Sequence, residues 1–145
     1  MILSNHFTLE EFTASQSGAR SGLDNKPNPS QIAHLMAIAA TLEKVRTLLG
    51  GAAIHIDSGY RSPAVNALVG GAPTSAHLDG YAADFICPTF GTPYDVACRI
   101  RDAKIPFDQL ICEYGWVHIS IAPTMRRECL TKKSAKEPYI MGLIP

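Results

Sequence analysis

The sequence predicts an α+β domain with a small antiparallel sheet flanked by helices. One stretch, from Pro29 or Ser30 to Leu49, repeats apolar residues at helical spacing, and several shorter stretches read as strands. Helices and antiparallel strands are mixed without a strict β-α-β alternation, which reads as α+β. The chain has 145 residues, 46% hydrophobic and 18% charged. That fits one domain over residues 1–145, able to bury roughly 68–70% of its unfolded surface. The same balance excludes an intrinsically disordered chain, and the 11 glycines and 10 prolines show no period.

The elements follow in order. Thr8-Leu9-Glu10-Glu11 is a capping box: the Thr8 hydroxyl can accept from the Glu11 N–H while the Glu11 carboxylate reaches back. Phe7 and Phe12 occupy the two staple positions, so a short helix is expected here. His6 lies just outside it and reads as structural. Residues 15–30 are polar and hold Gly18, Gly22, Pro27 and Pro29, which predicts a loop. The long helix follows, with Ile32, Leu35, Met36, Ala39, Leu42, Val45, Leu48 and Leu49 as its apolar stripe and Gly50-Gly51 as its stop. His34 falls outside the stripe and is given no role.

Residues 53–57 alternate and predict a strand. Ser58-Gly59-Tyr60-Arg61 reads as a turn, and Pro63 opens a short helix to about Val69. Residues 82–87 predict a second strand. Thr92 caps a helix with Pro93 at its first position, running to about Ala103. Residues 110–113 and 116–121 predict two strands around Tyr114-Gly115, and residues 129–132 a last short one.

The 13 basic and 13 acidic side chains balance, so no nucleic-acid partner is expected. The charge is uneven, however. Arg126, Arg127, Lys132, Lys133 and Lys136 stand against Glu128 alone. This reads as a solvated basic face or as a contact for an anionic partner such as cell wall or lipid headgroups. The opening residues have no basic, apolar signal pattern, and the most apolar helical stretch, residues 32–42, is too short to span a bilayer. A chain made in the cytoplasm without a membrane segment is expected. Cys87, Cys98, Cys112 and Cys129 form no C-x-x-C pair or zinc-ribbon spacing, which predicts reduced, mostly buried thiols.

The chemistry concentrates in two segments. Ser75 to Asp84 holds His77 and Asp84 seven apart, with Gly80 permitting a bend between them. Glu113 to Ser120 holds a carboxylate and His118. Two histidines and one aspartate make a three-ligand zinc site with the fourth position open, the catalytic rather than the structural pattern. Taken singly, each of the three also reads as a cap or a satisfied core polar group. If Tyr114-Gly115 is a two-residue hairpin turn, Glu113 faces Trp116, Cys112 faces Val117 and Ile111 faces His118. Glu113, Trp116 and His118 then share one sheet face, with Glu113 and His118 about 7–8 Å apart as diagonal neighbours. That gap suits a water between a base and a metal.

At these residues the chain resembles the zinc D-Ala-D-Ala carboxypeptidases of peptidase family M15, which include VanY-type enzymes and phage peptidoglycan peptidases. Residues 75–84 match S-x-H-x-x-G-x-A-x-D at all five fixed positions. Trp116-Val117-His118 is similar to the second ligand segment, Ser58-Gly59-Tyr60-Arg61-Ser62 to an upstream S-G-Y-R-S motif, and residues 4–12 to the start of short phage members. The resemblance runs to about Ala122. It implies a Hedgehog/DD-peptidase-like fold with Zn2+ held by His77, Asp84 and His118. It also implies Glu113 as general base, although many members place that Glu three residues before the last His, where this chain has Gly115. Phage-type members share the spacing seen here. Arg61 is implied to stabilise charge on the substrate carbonyl or bind a carboxylate, against a plain surface salt bridge. Ser75 is implied to hold the substrate terminus, against a loop cap, and Trp116 to wall the pocket.

The implied activity is hydrolysis of an amide in a peptidoglycan stem peptide, at a D-Ala end or an L-Ala–D-Glu bond. The implied enzyme is a monomer, phage or prophage encoded, acting on the cell wall after release or as a virion component. Two other readings share the scaffold: a non-catalytic phage structural or wall-binding module, and a Hedgehog-like fold that holds zinc without catalysis.

Overall fold

The computed structural model describes residues 1–145. A two-stranded hairpin, β1 (Ile2–Ser4) and β2 (Phe7–Thr8), leads into α1 (Leu9–Thr13). The Thr8 capping box forms, and the Phe7 and Phe12 rings meet edge to face at 6.0 Å. Next come α2 (Gln16–Arg20), α3 (Pro29–Leu48), β3 (His55–Ser58) and α4 (Pro63–Leu68). A 3₁₀ turn at Ala76–Asp79 precedes β4 (Ala82–Ile86) and α5 (Pro93–Arg101). The chain ends with β5 (Gln109–Cys112), β6 (Val117–Ser120), β7 (Glu128–Thr131) and β8 (Ile140–Met141).

The main sheet has six strands in the order β3-β4-β6-β5-β7-β8. The expected antiparallel pairing holds with one exception: β5 and β7 run parallel, because the chain reverses twice between them, at the β5–β6 hairpin and over residues 121–127, and β7 pairs on the far side of β5. One face of the sheet carries Ala83, Phe85, Val117, Ile119, Leu110 and Cys112 into the core against α3 and α5. Strand alternation sends Asp84, His118, Ile111 and Leu130 to the other face, which lines an open cleft of about 1100 Å³.

Helix α3 begins as expected, with Asn28 and Gln31 forming a capping box and Pro29 at the first position. It buries Leu35, Ile38, Ala39, Leu42 and Val45. Ile38 thus belongs to the stripe and Met36, half exposed, does not. Positions 35, 38, 42 and 45 follow the helical repeat, and 36 lies about 100° round from 35. The loop expected over residues 15–30 contains α2, where the Ser15 hydroxyl accepts from the Gly18 N–H. Gly18 sits where a Cβ would lie 3.0 Å from Val65, so the glycine that suggested a loop is a packing residue. The strand expected at 53–57 is shifted to His55–Ser58. The last expected strand is Glu128–Thr131, and β1, β2 and β8 were not anticipated.

His6 is structural as read: Glu43 accepts from its backbone N–H at 2.8 Å and meets its ring at 2.7 Å. The four thiols are free, with Cys87 and Cys112 buried, and burial pushes their pKa values up along with that of Cys129. No helix is long and apolar enough to cross a membrane.

The basic segment is partly absorbed by the fold. Arg127 donates to the carbonyls of Arg101, Ala103 and Ile105 and lies over the Phe107 ring. Asp108, fully buried, accepts from the Arg126 guanidinium and backbone N–H and from the Thr124 hydroxyl. The Arg126 hydrogen bond leads these partners in outweighing burial and holding the Asp108 pKa at about 2 against an ordinary 3.8. A folded-state pKa below the unfolded one means that Asp108 stabilises the fold fully above the ordinary value and loses that contribution as pH falls towards 2. Asp108→Asn should therefore lower the urea midpoint at pH 6, and the gap from wild type should narrow as the buffer approaches pH 2. A gap independent of pH would show that the carboxylate charge carries none of the stability.

Candidate metal centre

The site is assembled by sheet register. β4 and β6 are the two strands next to each other near the middle of the sheet, and Asp84 pairs directly with His118. The Asp84 Oδ1 to His118 Nδ1 distance is 2.9 Å. His77 arrives from the 3₁₀ turn that precedes β4. Ser75 caps that turn, its hydroxyl accepting from the His77 N–H, and Gly80 closes it in the left-handed region at φ 78°. A Cβ at Gly80 would also stand 2.8 Å from the Gln31 carbonyl oxygen, so the bend expected there needs glycine twice over. From the outside, His34 holds the turn: its ring meets the Asp79 carbonyl at 2.6 Å and stacks on Tyr81 at 3.9 Å. This gives a positioning job to a histidine that its place on α3 left without one.

The His77 ring is oriented by the irregular segment after β3. Its Nδ1 lies 2.6 Å from the Gly59 carbonyl oxygen, which can only accept, so Nδ1 carries the proton and Nε2 presents its lone pair. Gly59 is required because a Cβ would lie 2.5 Å from the Phe12 carbonyl oxygen. The Tyr60 N–H donates to that same oxygen. In place of the turn expected at residues 58–61, Ser58 ends β3 and residues 59–61 run as an irregular link whose backbone groups bond outward, clamping the imidazole to α1.

His77 Nε2 is buried without a hydrogen-bond partner, 3.3 Å from Asp84 Oδ2. An orphaned lone pair in that position costs free energy unless something electrophilic meets it. His77, Asp84 and His118 each offer one ligand atom, all within 4.8 Å of one another. A tetrahedral ion with bonds of about 2.0–2.2 Å holds its ligands roughly 3.3–3.6 Å apart, close to the His77–Asp84 separation. Protonation states agree. Burial, its largest influence, drives the His77 pKa down and keeps the ring neutral. Burial alone would raise the Asp84 pKa, but the hydrogen bond from the His118 ring at 2.9 Å opposes it, and the carboxyl lies below the ordinary carboxylate range. A neutral imidazole and an ionised carboxylate are the forms that bind metal.

Glu113 stands beside this group on the same sheet face. The expected register holds: Cys112 pairs with Val117, Ile111 with His118, and the Glu113 N–H donates to the Trp116 carbonyl at 2.9 Å. Neither Tyr114 nor Gly115 has a positive φ, so the turn keeps its register without the glycine-type hairpin conformation. The Trp116 indole N–H donates to Glu113 Oε2 at 2.8 Å, and the Tyr114 ring braces Trp116 edge to face at 4.6 Å. Trp116 therefore positions the carboxylate as well as lining the cleft. Burial, followed by the Asp84 charge, raises the Glu113 pKa above its ordinary 4.5, towards the range useful to a base at neutral pH.

Arg61 also lines the cleft. It makes no ion pair, its Nε is buried without a hydrogen-bond partner, and Nη2 reaches the Ser75 hydroxyl at 3.5 Å. The surface salt bridge weighed for it is absent. Ser75 fills its loop-cap role while facing the cleft. All the site residues picked from the sequence converge on one cleft. Lys132 and Tyr139, which also line it, were not among them.

A family model described as Peptidase M15 matches residues 5–120, well over half of the chain and all of the residues just described except Lys132 and Tyr139. No curated protein matches the chain.

Proposed function

The chain belongs to the peptidase M15 family, and from that premise we propose that it is a zinc-dependent peptidoglycan peptidase that hydrolyses an amide bond in stem peptides. The observation that carries the proposal is the unpartnered, buried His77 Nε2 facing Asp84 and His118, with Glu113 alongside. A zinc ion held by His77, Asp84 and His118 would supply a Lewis acid for the scissile carbonyl and lower the pKa of a water towards about 7.

The chain's own side chains do the rest. Glu113 takes a proton from the attacking water and passes it to the leaving nitrogen. Trp116 fixes the carboxylate oxygen that is not engaged. Arg61, with unused donors and no counter-ion in the cleft, stabilises negative charge on the carbonyl oxygen; losing one such donor typically costs about 2.7–4 kcal/mol of barrier. Ser75 steadies the guanidinium and faces the substrate terminus. The open cleft fits an extended peptide better than a closed pocket would. We place the activity on the cell wall, reached after release or as part of a virion, as in phage or prophage enzymes, and expect a monomer.

Incubation of purified peptidoglycan with the protein, followed by mass spectrometry of the fragments, tests this. New stem-peptide products that disappear with chelator are expected, and their masses identify the bond. Folded, metal-free protein that releases nothing would identify a wall-binding module instead.

A further inference from the structure

We propose that Lys132, held in place by Tyr139, binds a carboxylate of the substrate peptide. This rests on the peptidase reading above and adds the substrate's charge to it.

The placement follows from the parallel pairing of β5 with β7. Ile111 pairs with Leu130 and Cys112 with Thr131. The Lys132 N–H donates to the Cys112 carbonyl at 2.9 Å, which extends the ladder by one step. Alternation then puts Glu113 and Lys132 side by side on the cleft face, one strand spacing of about 4.8 Å apart. Thr131 points the other way, its hydroxyl donating to the Gly142 carbonyl and accepting from the Ile144 N–H. Both Lys132 and Tyr139 line the cleft.

The Lys132 ammonium does not pair with Glu113. It lies over the Tyr139 ring, 4.4 Å from the centroid, and makes no ion pair. Of the acids nearby, Asp108 is taken by Arg126, and Glu113 accepts from the Trp116 indole rather than from the ammonium. An aromatic face holds a cation without neutralising it, so the ammonium keeps its capacity for an anion. It also leaves Glu113 free to receive a proton. Lys132 and Arg61 are then the two uncommitted cations of one cleft, on different structural elements. Arg61 meets the carbonyl side of the substrate, and Lys132 meets a carboxylate carried on the peptide. Neither Lys132 nor Tyr139 lies in the family-matched residues 5–120, so this wall is supplied by the chain's C-terminal part.

The test uses synthetic stem peptides in which each carboxylate is amidated in turn, with kcat and KM measured for the full chain. Wild type should lose about tenfold in kcat/KM for one amidated peptide, mainly through KM, as expected for removing a charge-assisted contact. Lys132→Met should cleave that peptide and its acidic parent with nearly equal kcat/KM. Tyr139→Phe, which keeps the ring, should discriminate like wild type, and Tyr139→Ala should discriminate less. Equal cleavage of the whole set by wild type overturns the inference while leaving the peptidase reading standing, and so does full discrimination by Lys132→Met. Wild type that cleaves no peptide of the set overturns both.

Discussion

Glu113→Gln is expected to lower kcat about 10²–10⁴-fold while the protein still binds one metal ion per chain. The amide keeps the shape of the side chain, and its oxygen can still accept from the Trp116 indole, so the hairpin and the neighbouring ligands stay in place. What it loses is the ability to take a proton. The metal-free protein carries related information. Burial, then the nearby Asp84 charge, raises the Glu113 pKa. Glu113 in metal-free protein should therefore titrate above the ordinary 4.5 by NMR, and an ion bound at Asp84 should lower that value. Steady-state kinetics beside metal analysis decides the matter: a variant that turns over at the wild-type rate removes Glu113 from the mechanism.

His77→Ala should abolish both stoichiometric metal binding and hydrolysis. Two of three ligands cannot hold a catalytic ion against solvent, and the Gly59 carbonyl loses the ring N–H that satisfies it, at a cost of about 1–3 kcal/mol in stability. Chelation separates these effects. An ion present at a hundredfold excess over its Kd stabilises the fold by about 2.7 kcal/mol. Adding EDTA to the wild type should then lower Tm by roughly 10 °C. The same treatment should leave His77→Ala unchanged, because no bound ion remains to be removed. A full equivalent of zinc on His77→Ala, measured by elemental analysis, would place the ion elsewhere.

The grouping of His77, Asp84 and His118 was legible because these candidate ligands lie in two short segments with strong local cues. Gly80 announced the bend between His77 and Asp84, and the hairpin about Tyr114-Gly115 allowed the facing of Glu113 and His118 to be worked out from strand alternation alone. Both cues are local, and the structure keeps both. Lys132 was invisible for the opposite reason. Its position beside Glu113 depends on a parallel pairing between β5 and β7, strands separated in sequence by β6 and by a link over residues 121–127 whose course no local pattern specifies. It appeared in the sequence only as one member of a basic cluster. The structure divides that cluster, with Arg126 neutralised by Asp108, Arg127 tied to carbonyls and Lys132 turned into the cleft. The missed elements are short. β1, β2 and β8 have two or three residues, too few to show alternation, and α2 contains a glycine that local propensity reads as a breaker.

The direct pairing of Asp84 with His118 across the two strands also bears on folding. A strand slipped by one residue turns every side chain to the opposite face. In a slipped β4–β6 pair the acid and the imidazole would no longer meet, and one of them would be driven into the hydrocarbon interior. An ion that needs both groups can bind only the correctly aligned sheet, so its presence during refolding would act as a proofreader of strand alignment.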